Sequence, residues 1–268
     1  KWHLGDSLSP QHGFSHWLTI PTGGSRYNDA PVIRDGQEMV AEGYLSDVFG
    51  DDAIDFIEAH KHETFYLSLH FNAPHSPWTG HPQDIVDSYD DCPFKSCPQE
   101  RAHRWVRDGI GDHLGNRESL KGYFAAVTAM DLNVGRVLDK LEVLGLRERT
   151  LIVFTSDNGF SCGHHGFWGK GNGTFPLNMY ENSVKVPAIF SHPGVIPQGA
   201  VSQAMVSQYD WMPTLLEYAG LPAEEDESLP GASFASVLRG RTREAREDVV
   251  VFDEYGPTRM IRTQEWKY

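Results

Sequence analysis

The chain has 268 residues, of which 40% are hydrophobic and 22% charged, as in an ordinary globular protein. This length suffices for one large α/β domain or for a domain and a half. The formal net charge of −14 excludes a general nucleic-acid binder, because such proteins bind phosphates through basic patches. No apolar run approaches the roughly 20 residues of a membrane-spanning helix. The chain begins at Lys1, without an initiator Met or a signal peptide, so we expect a fragment or a mature product.

The first third of the chain contains two candidate site residues and two predicted elements. Lys1 and His3 lie two residues apart, so they would share one face of an extended segment; a charged chain end is the alternative. Residues 5–36 lack periodicity and predict a long irregular loop. An apolar stripe predicts a helix over 44–60, and apolar alternation predicts a strand over 65–71.

A proline-flanked histidine follows the predicted strand. Pro74 and Pro77 restrict the backbone on either side of His75, so this loop would hold the imidazole in place for proton transfer or contact with an anion. A loop histidine without a role is the alternative. Residues 76–117 lack clear periodicity. We interpret them as an irregular segment that forms part of the rim of a substrate site.

The three cysteines do not define a metal site. Cys92 and Cys97 could close a small disulfide loop in an oxidising compartment or remain thiols, and their spacing does not decide between the two. Cys162, His164 and His165 lie close together, but no second ligand pair has the spacing of a zinc site.

The next segment combines a helix, a strand and two candidate metal ligands. The strongest helical pattern covers 120–146, and an apolar run over 151–154 predicts a strand buried on both faces of a parallel sheet. Asp157 and Asn158 follow at the strand's end, the edge where open α/β sheets bind ligands. A carboxylate and an amide are hard oxygen ligands suited to Ca²⁺ or Mg²⁺. Ordinary Asp-Asn-Gly turn chemistry is the alternative.

A loop rich in Gly and His, residues 159–173, follows these candidate ligands. Its one cation is Lys170. A phosphate-binding P-loop is excluded, because His164 and Gly171 stand where that motif requires Gly and Ser or Thr. We expect this loop to hold the anionic group of a substrate, with His164 and His165 shaping the pocket.

The remaining elements are short. They are a strand over 186–190, a further strand over 201–208, a helix over 210–219 capped by Asp210 and ended by Gly220, and two strands of a hairpin or small sheet over 249–252 and 260–263. Helices that lead into buried strands predict an α/β fold.

The candidate residues together indicate a substrate class. Cations and imidazoles around a hard metal suit a tetrahedral oxyanion ester, because metal and lysines offset its charge and a histidine protonates the leaving oxygen. Sulfate and phosphate esters both fit. The residues are Lys1, His3, His75, Asp157, Asn158 and Lys170.

Seven segments, in this order and spacing, resemble motifs of the sulfatase family in the alkaline-phosphatase superfamily. They are K-W-H-L-G at 1–5, N-A-P-H-S-P at 72–77, M-D-L-N-V-G-R-V-L at 130–138, T-S-D-N-G at 155–159, G-K at 169–170, Y-E-N-S-V-K-V-P at 180–187 and D-W-M-P-T-L-L at 210–216. Each motif is weak alone, whereas the ordered set covers nearly the whole chain.

The resemblance implies a fold and a metal. The fold is an alkaline-phosphatase-like mixed β-sheet flanked by helices, with a core over 1–240 and the start of a small antiparallel C-terminal subdomain over 241–268. Asp157 and Asn158 would be ligands of Ca²⁺, with Mg²⁺ as the second choice.

The resemblance also implies roles for the cations and imidazoles. Lys1 and Lys170 would contact the sulfate and the nucleophile. His3 would orient or deprotonate the nucleophile's hydrate. His75 would contact the sulfate or protonate the leaving group. The pocket role of His165 rests on its place in the loop and is not implied by the resemblance.

The main departure from the family is the absent nucleophile. Sulfatases use a formylglycine made from Cys or Ser in C/S-x-P-x-R, and the nearest string here, residues 21–26, does not fit. The family places that motif, and the paired Asp that complete the Ca²⁺ site, before K-W-H-L-G. We therefore expect this chain to be a sulfatase without its N-terminal portion.

The expected activity of the parent protein is hydrolysis of a sulfate ester on a carbohydrate or another organic sulfate. The alternatives are a phosphonate or phosphate monoester hydrolase of the same superfamily and a catalytically dead homologue that binds sulfated glycans. A periplasmic or extracellular location is favoured, and a cytoplasmic one is the alternative.

A protein comprising residues 1–268 alone is expected to be inactive and to bind Ca²⁺ poorly, because it lacks the nucleophile motif and supplies two of the implied metal ligands. Aryl sulfate turnover and calorimetric titration with CaCl₂ check this. Measurable turnover, or tight Ca²⁺ binding, would contradict it.

Overall fold

The computed structural model describes residues 1–2, 4–222, 228–243, 245–253 and 256–268. The chain divides into two compact units. Unit 1 comprises Lys1–Ser96 and Gly115–Arg147, and unit 2 comprises Cys97–Leu114 and Glu148–Tyr268. The predicted boundary between residues 240 and 241 stays a prediction.

Unit 1 contains a three-stranded antiparallel sheet where the sequence predicted a loop. Its strands pair in the order β1 (Leu18–Thr19), β2 (Asn28–Arg34), β3 (Gln37–Tyr44). Asp35 and Gly36 connect β2 to β3, with φ angles of 49° and 78°. Two positive φ angles are typical of the two-residue turn that matches strand twist, and Asp-Gly is its preferred sequence. The loop prediction for 5–36 was wrong at these strands because this turn signal was overlooked.

Three helices complete the elements of unit 1, namely α1 (Leu45–Ala59), α2 (Gln83–Asp87) and α3 (Arg117–Val143). The helices predicted over 44–60 and 120–146 are confirmed. Helix α3 begins three residues before the predicted start because Asn116 caps it, accepting a hydrogen bond from the Ser119 backbone at 3.2 Å.

A buried amide joins α1 to α3. Asn133 is 1% exposed, and its Nδ2 donates to Asp47 Oδ1 at 2.7 Å and to the Ala129 carbonyl at 3.0 Å. Its Oδ1 accepts from Arg136 at 2.7 Å. Gly50 of α1 faces this amide, and a Cβ there would lie 2.3 Å from Asn133 Oδ1. The packing of the two helices therefore requires glycine on one side and a satisfied polar group on the other.

Residues 65–71 do not form the predicted strand. No other described segment pairs with them. Leu69 and Phe71 nevertheless pack against the buried cluster that contains Ile20, Val32 and Leu45. Alternation thus identified the side chains that face the core, but it carries no information about a pairing partner.

The strands of unit 2 form three antiparallel pairs. Strand β4 (Ile152–Thr155) pairs with β7 (Ala188–Ser191), β5 (Ser161–Cys162) with β6 (Trp168–Gly169), and β8 (Asp248–Phe252) with β9 (Arg259–Thr263). The predicted strands at 151–154 and 186–190 and the C-terminal hairpin are confirmed. Within the described residues β4 is half-buried and antiparallel, so its predicted burial in a parallel sheet was wrong. An apolar run does not specify the direction of its neighbour.

The helices of unit 2 are α4 (Glu181–Val184), α5 (Trp211–Ala219) and α6 (Ala235–Leu238). Helix α5 ends at Gly220 as predicted, with φ of 70°. Asp210 precedes α5, but its carboxylate does not cap it; it accepts from the backbones of Ser207 at 2.7 Å and Ala232 at 2.9 Å. The predicted strand over 201–208 is not formed among the described residues, where this segment makes one isolated bridge at Met205.

Short 3₁₀ turns connect the larger elements. They are Gly111–His113, Arg147–Arg149, His164–Gly166, Gly171–Gly173 and Gln208–Asp210.

All three cysteines are described, and they are thiols. No helix in the described part of the chain has the length and apolarity needed to cross a membrane.

Replacing Asn133 by Ala should lower the free energy of unfolding by about 1–3 kcal/mol, because the buried amide's hydrogen bonds to Asp47, Ala129 and Arg136 would be lost. Urea unfolding followed by circular dichroism measures the change. Val143→Ala, at an exposed position of the same helix, is the control and should stay within about 0.5 kcal/mol of wild type. Equal stabilities of the two variants would show that the amide does not hold the helices together.

Candidate functional site

The predicted site residues are divided between the two units. His3 lies outside the described residues. Lys1 and His75 belong to unit 1, whereas Asp157, Asn158, His165 and Lys170 belong to unit 2.

In unit 1, one glycine turn contacts both predicted residues. Lys1 Nζ donates to the Gly23 carbonyl at 2.9 Å. The His75 ring lies against Gly24 so closely that a Cβ there would be 2.6 Å from His75 Cε1. The turn therefore brings together two residues that are 74 positions apart, counted as 75 − 1. Sequence analysis missed this role of Gly23 and Gly24, although a Gly-Gly pair is a turn signal.

Backbone and side-chain contacts fix the orientation of His75. Its backbone N–H donates to the Asn72 carbonyl at 2.9 Å, and its carbonyl accepts from the Tyr27 hydroxyl at 2.8 Å. Burial raises the pKa of Tyr27, which keeps this hydroxyl protonated as a donor. Ring Nδ1 lies 2.9 Å from the Ser76 carbonyl, which can only accept, so a neutral His75 carries its proton on Nδ1. Nε2 is then the ring nitrogen that can accept a hydrogen bond.

In unit 2, Asp157 and Asn158 form a tight turn after β4. Asp157 Oδ1 accepts from the Asn158 backbone at 3.0 Å, and Ser156 Oγ donates to the Asn158 carbonyl at 2.8 Å. Gln208 Nε2 donates to the carbonyls of Ser156 at 2.8 Å and Asp157 at 3.2 Å. The turn chemistry expected as the alternative is therefore present, and the ligand role of Asp157 and Asn158 stays a prediction. Gln208 was missed because it contacts backbone atoms, which leave no signal in the sequence.

Lys170 contacts one of the two predicted metal ligands. Its Nζ donates to Asn158 Oδ1 at 3.3 Å, although the two residues are twelve positions apart. This contact places an ammonium group against an amide oxygen just after a strand end. An anionic group that binds here would meet a fixed positive charge.

The oxygen donors of this turn fit a hard divalent cation. Asp157 offers a carboxylate and Asn158 an amide oxygen, whereas Ca²⁺ takes about 6–8 oxygen ligands. The described residues contain no cluster of three or more His, Cys, Asp or Glu that could hold a metal. The two residues supply oxygen donors of the type that a hard divalent cation takes, and further ligands would have to complete such a site.

His165 lies on the wall of an open cavity in unit 2. Its φ is 59°, a left-handed conformation, and its ring stacks on Tyr180 with the centroids 4.1 Å apart and the planes 12° from parallel. The neighbouring Gly166 accepts a backbone hydrogen bond from His103 at 2.7 Å. A Cβ at Gly166 would lie 1.9 Å from the Arg101 carbonyl. Residues 100–107, for which the sequence indicated no specific chemistry, therefore support the His and Gly loop.

Comparisons with known proteins identify the family. A family model described as Sulfatase matches residues 1–221. An N-acetylglucosamine-6-O-sulfatase of Bacteroides thetaiotaomicron is 28% identical, over 89% of this chain and 53% of its own length. A choline-sulfatase of Rhizobium meliloti is 32% identical, over 75% of this chain and 41% of its own length. The human N-acetylgalactosamine-6-sulfatase is 29% identical, over 98% of this chain and 49% of its own length. The chain thus spans about half the length of the curated relatives it matches.

Solved structures give the fold. A protein solved in complex with its substrate D-glucosamine-2-N,6-O-disulfate matches with a TM-score of 0.80 and 24% identity, over 97% of this chain and 67% of that chain. A phosphonate monoester hydrolase from Silicibacter pomeroyi matches with a TM-score of 0.64 and 21% identity, over 81% of this chain and 50% of that chain. The predicted α/β fold of the alkaline-phosphatase type is confirmed.

Replacing Gly159 by Ala should displace the ligand turn, because the new Cβ would lie 2.1 Å from the Asn182 carbonyl. Overpacking of this kind costs roughly 1–3 kcal/mol, measurable as a lower free energy of unfolding in urea. Gly135→Ala is the control, because Gly135 lies inside α3 with open space around it and Ala stabilises a helix by roughly 0.5–1 kcal/mol. A Gly159→Ala protein as stable as wild type would contradict the close packing of this turn.

Proposed function

The chain belongs to the sulfatase family, and on that premise we propose that it forms part of an enzyme that hydrolyses the sulfate ester of a carbohydrate. The observation that carries this proposal is the contact of the Lys170 ammonium with Asn158, which directly follows Asp157 in the chain. A cation at a segment that carries two candidate oxygen ligands suits the binding of an anionic ester together with a metal ion.

The residues of unit 2 would hold the ester. We assign Asp157 and Asn158 as Ca²⁺ ligands and Lys170 Nζ as a donor to a sulfate oxygen. When bound, Ca²⁺ would offset negative charge on the sulfate oxygens. Lys170 contributes a second positive charge that needs no reorganisation, since its contact with Asn158 already orients it.

The roles of Lys1, His3 and His75 rest on the sequence resemblance. We assign Lys1 to the sulfate and the nucleophile, and His3 to the nucleophile. As the imidazolium, with Nδ1–H donating to the Ser76 carbonyl, His75 would deliver the proton on Nε2 to the leaving alcohol oxygen and become neutral. The family's formylglycine motif does not occur in residues 1–268.

The names of several relatives support a glycan substrate. Two of them are sulfatases of N-acetylhexosamine 6-sulfates, and a solved structural neighbour holds a sulfated glucosamine. The choline-sulfatase relative favours a small organic sulfate as the second candidate. A phosphonate ester is a third candidate, supported by a similar fold.

We also propose a periplasmic or extracellular location, which cell fractionation and immunoblotting would test.

The test uses the protein expressed from the complete reading frame. Wild type should hydrolyse glucosamine 6-sulfate and 4-nitrophenyl sulfate faster than 4-nitrophenyl phosphate or phenylphosphonate esters, and chelation of Ca²⁺ should lower the rate. Lys170→Ala should reduce kcat/KM on 4-nitrophenyl sulfate by about 10²–10³-fold, because it removes a preorganised donor to the charged group. Asp157→Ala should reduce kcat/KM and weaken Ca²⁺ binding in calorimetry.

Lys95→Ala, at an exposed lysine of unit 1, is the matched control and should retain wild-type kcat/KM. Faster turnover of the phosphonate ester would assign the protein to the phosphoesterases. Sulfated-glycan binding without turnover of any ester would assign it to the catalytically dead homologues.

A further inference from the structure

Two backbone segments of unit 2 place a pair of aromatic rings on the surface. Val106 and Thr174 form an antiparallel bridge, and the Phe175 backbone donates to the Trp105 carbonyl at 2.9 Å. Arg107 donates from its backbone to the Gly173 carbonyl at 3.1 Å. Trp105 is 45% exposed and Phe175 67% exposed. The fold therefore holds two large aromatic side chains beside each other without covering them.

Trp105 lies between two open cavities. The first has a volume of about 460 Å³, and its wall includes Trp105, the stacked pair of His165 and Tyr180, and His103. Its polar lining includes Lys267, which donates to Glu181 at 2.8 Å. The second has a volume of about 510 Å³ and shares Trp105 with the first. Both are open surface depressions, so they suit a ligand that lies along the surface rather than one that is enclosed.

The second cavity carries cationic side chains beside the aromatic rings. Arg104 and Arg107 line it together with Trp105 and Phe175. The guanidinium of Arg104 lies 4.3 Å from the centroid of the Trp105 ring. Guanidinium groups bind planar or tetrahedral oxyanions through paired hydrogen bonds, and they do so while stacked on aromatic faces. Among the described residues of this lining, Asp108 is the one acidic residue.

This combination selects a class of ligand. An aromatic face offers apolar area to the C–H face of a sugar ring, while the arginines offer partners to sulfate groups on the same sugars. Single-stranded nucleic acids also bind aromatic and arginine platforms. The net charge of −14 opposes a polyanion with one phosphate per nucleotide, since its affinity depends on many basic contacts. A short sulfated glycan needs only the local positive charge.

The wall of the first cavity is bonded to the residue that follows Lys170. Asn178, which lines the cavity, donates to the Gly171 carbonyl from its backbone at 2.9 Å and from its side chain at 3.1 Å. The aromatic surface and the candidate sulfate-binding lysine are therefore parts of one hydrogen-bonded segment of unit 2.

We propose that Trp105, Phe175, Arg104 and Arg107 form an accessory subsite, which binds the sulfated sugar residues adjacent to the one whose sulfate is hydrolysed. The substrate is then a short sulfated oligosaccharide rather than a monosaccharide. This inference rests on the proposed sulfatase function, and it adds the residues that select for chain length.

The experiment compares two substrates, glucosamine 6-sulfate and a heparin-derived tetrasaccharide, with the protein expressed from the complete reading frame. Trp105→Ala, Phe175→Ala and Arg104→Gln should each lower kcat/KM for the tetrasaccharide by about tenfold through a higher KM, as for the loss of one stacked ring. Turnover of the monosaccharide should not change. Phe252→Ala is the control, because Phe252 is 63% exposed in the same unit but does not line either cavity.

Calorimetric binding of the tetrasaccharide separates failure of this inference from failure of the proposed function. A wild-type protein that hydrolyses neither substrate nor 4-nitrophenyl sulfate overturns the proposed function. The subsite is still supported if Trp105→Ala or Arg104→Gln weakens tetrasaccharide binding about tenfold and Phe252→Ala does not. Equal affinity or equal KM in all variants overturns the subsite, as does a wild-type protein that does not bind the tetrasaccharide. Circular dichroism melting identifies any variant that fails to fold, and the remaining two then decide.

Discussion

Close backbone contact holds the His- and Gly-rich loop of unit 2, and the candidate site of that unit depends on it. A Cβ at Gly159 would lie 2.1 Å from the Asn182 carbonyl, and a Cβ at Gly166 would lie 1.9 Å from the Arg101 carbonyl. Any side chain at either position would displace backbone, which has no alternative rotamer to adopt. The loop is therefore held from two sides, by residues 97–107 and by residues 178–183. Such support allows a loop to place charged groups with the accuracy of a regular element.

This support explains how an acidic protein can present a positive surface to an anionic ligand. The formal net charge is −14, so the overall field would repel an anionic ligand. Lys170 lies in the loop itself, and Arg104 and Arg107 lie on the segment that supports it. The backbone contacts that position the loop thus also gather its cations on one part of unit 2. Interactions of this short range are less screened by salt than the field of the whole chain.

The sequence predicted elements whose signal is local and missed those that depend on a distant partner. Helices α1 and α3 and the C-terminal hairpin carry their periodicity within their own residues, and all three are confirmed. The bridge between Val106 and Thr174 joins residues 68 positions apart, counted as 174 − 106, and has no signature in either segment. The apolar run of β4 predicted a strand but not its antiparallel neighbour β7. The Asp35-Gly36 turn is different, because its signal was local and was overlooked.

The residues of the candidate site likewise differ in whether the sequence alone could predict their role. Asp157, Asn158 and Lys170 were predicted because ligand and charge chemistry belong to side-chain identity, which a sequence displays. The roles of Gln208 and of the Gly23–Gly24 turn were not predicted, because these residues act on backbone carbonyls or by lacking a side chain. Backbone atoms are the same at every position, so only the fold reveals which of them need a partner. Candidate chemical groups can thus be predicted from the sequence alone, whereas the residues that position them become visible only in the fold. Both kinds of residue decide whether a reacting atom is placed correctly.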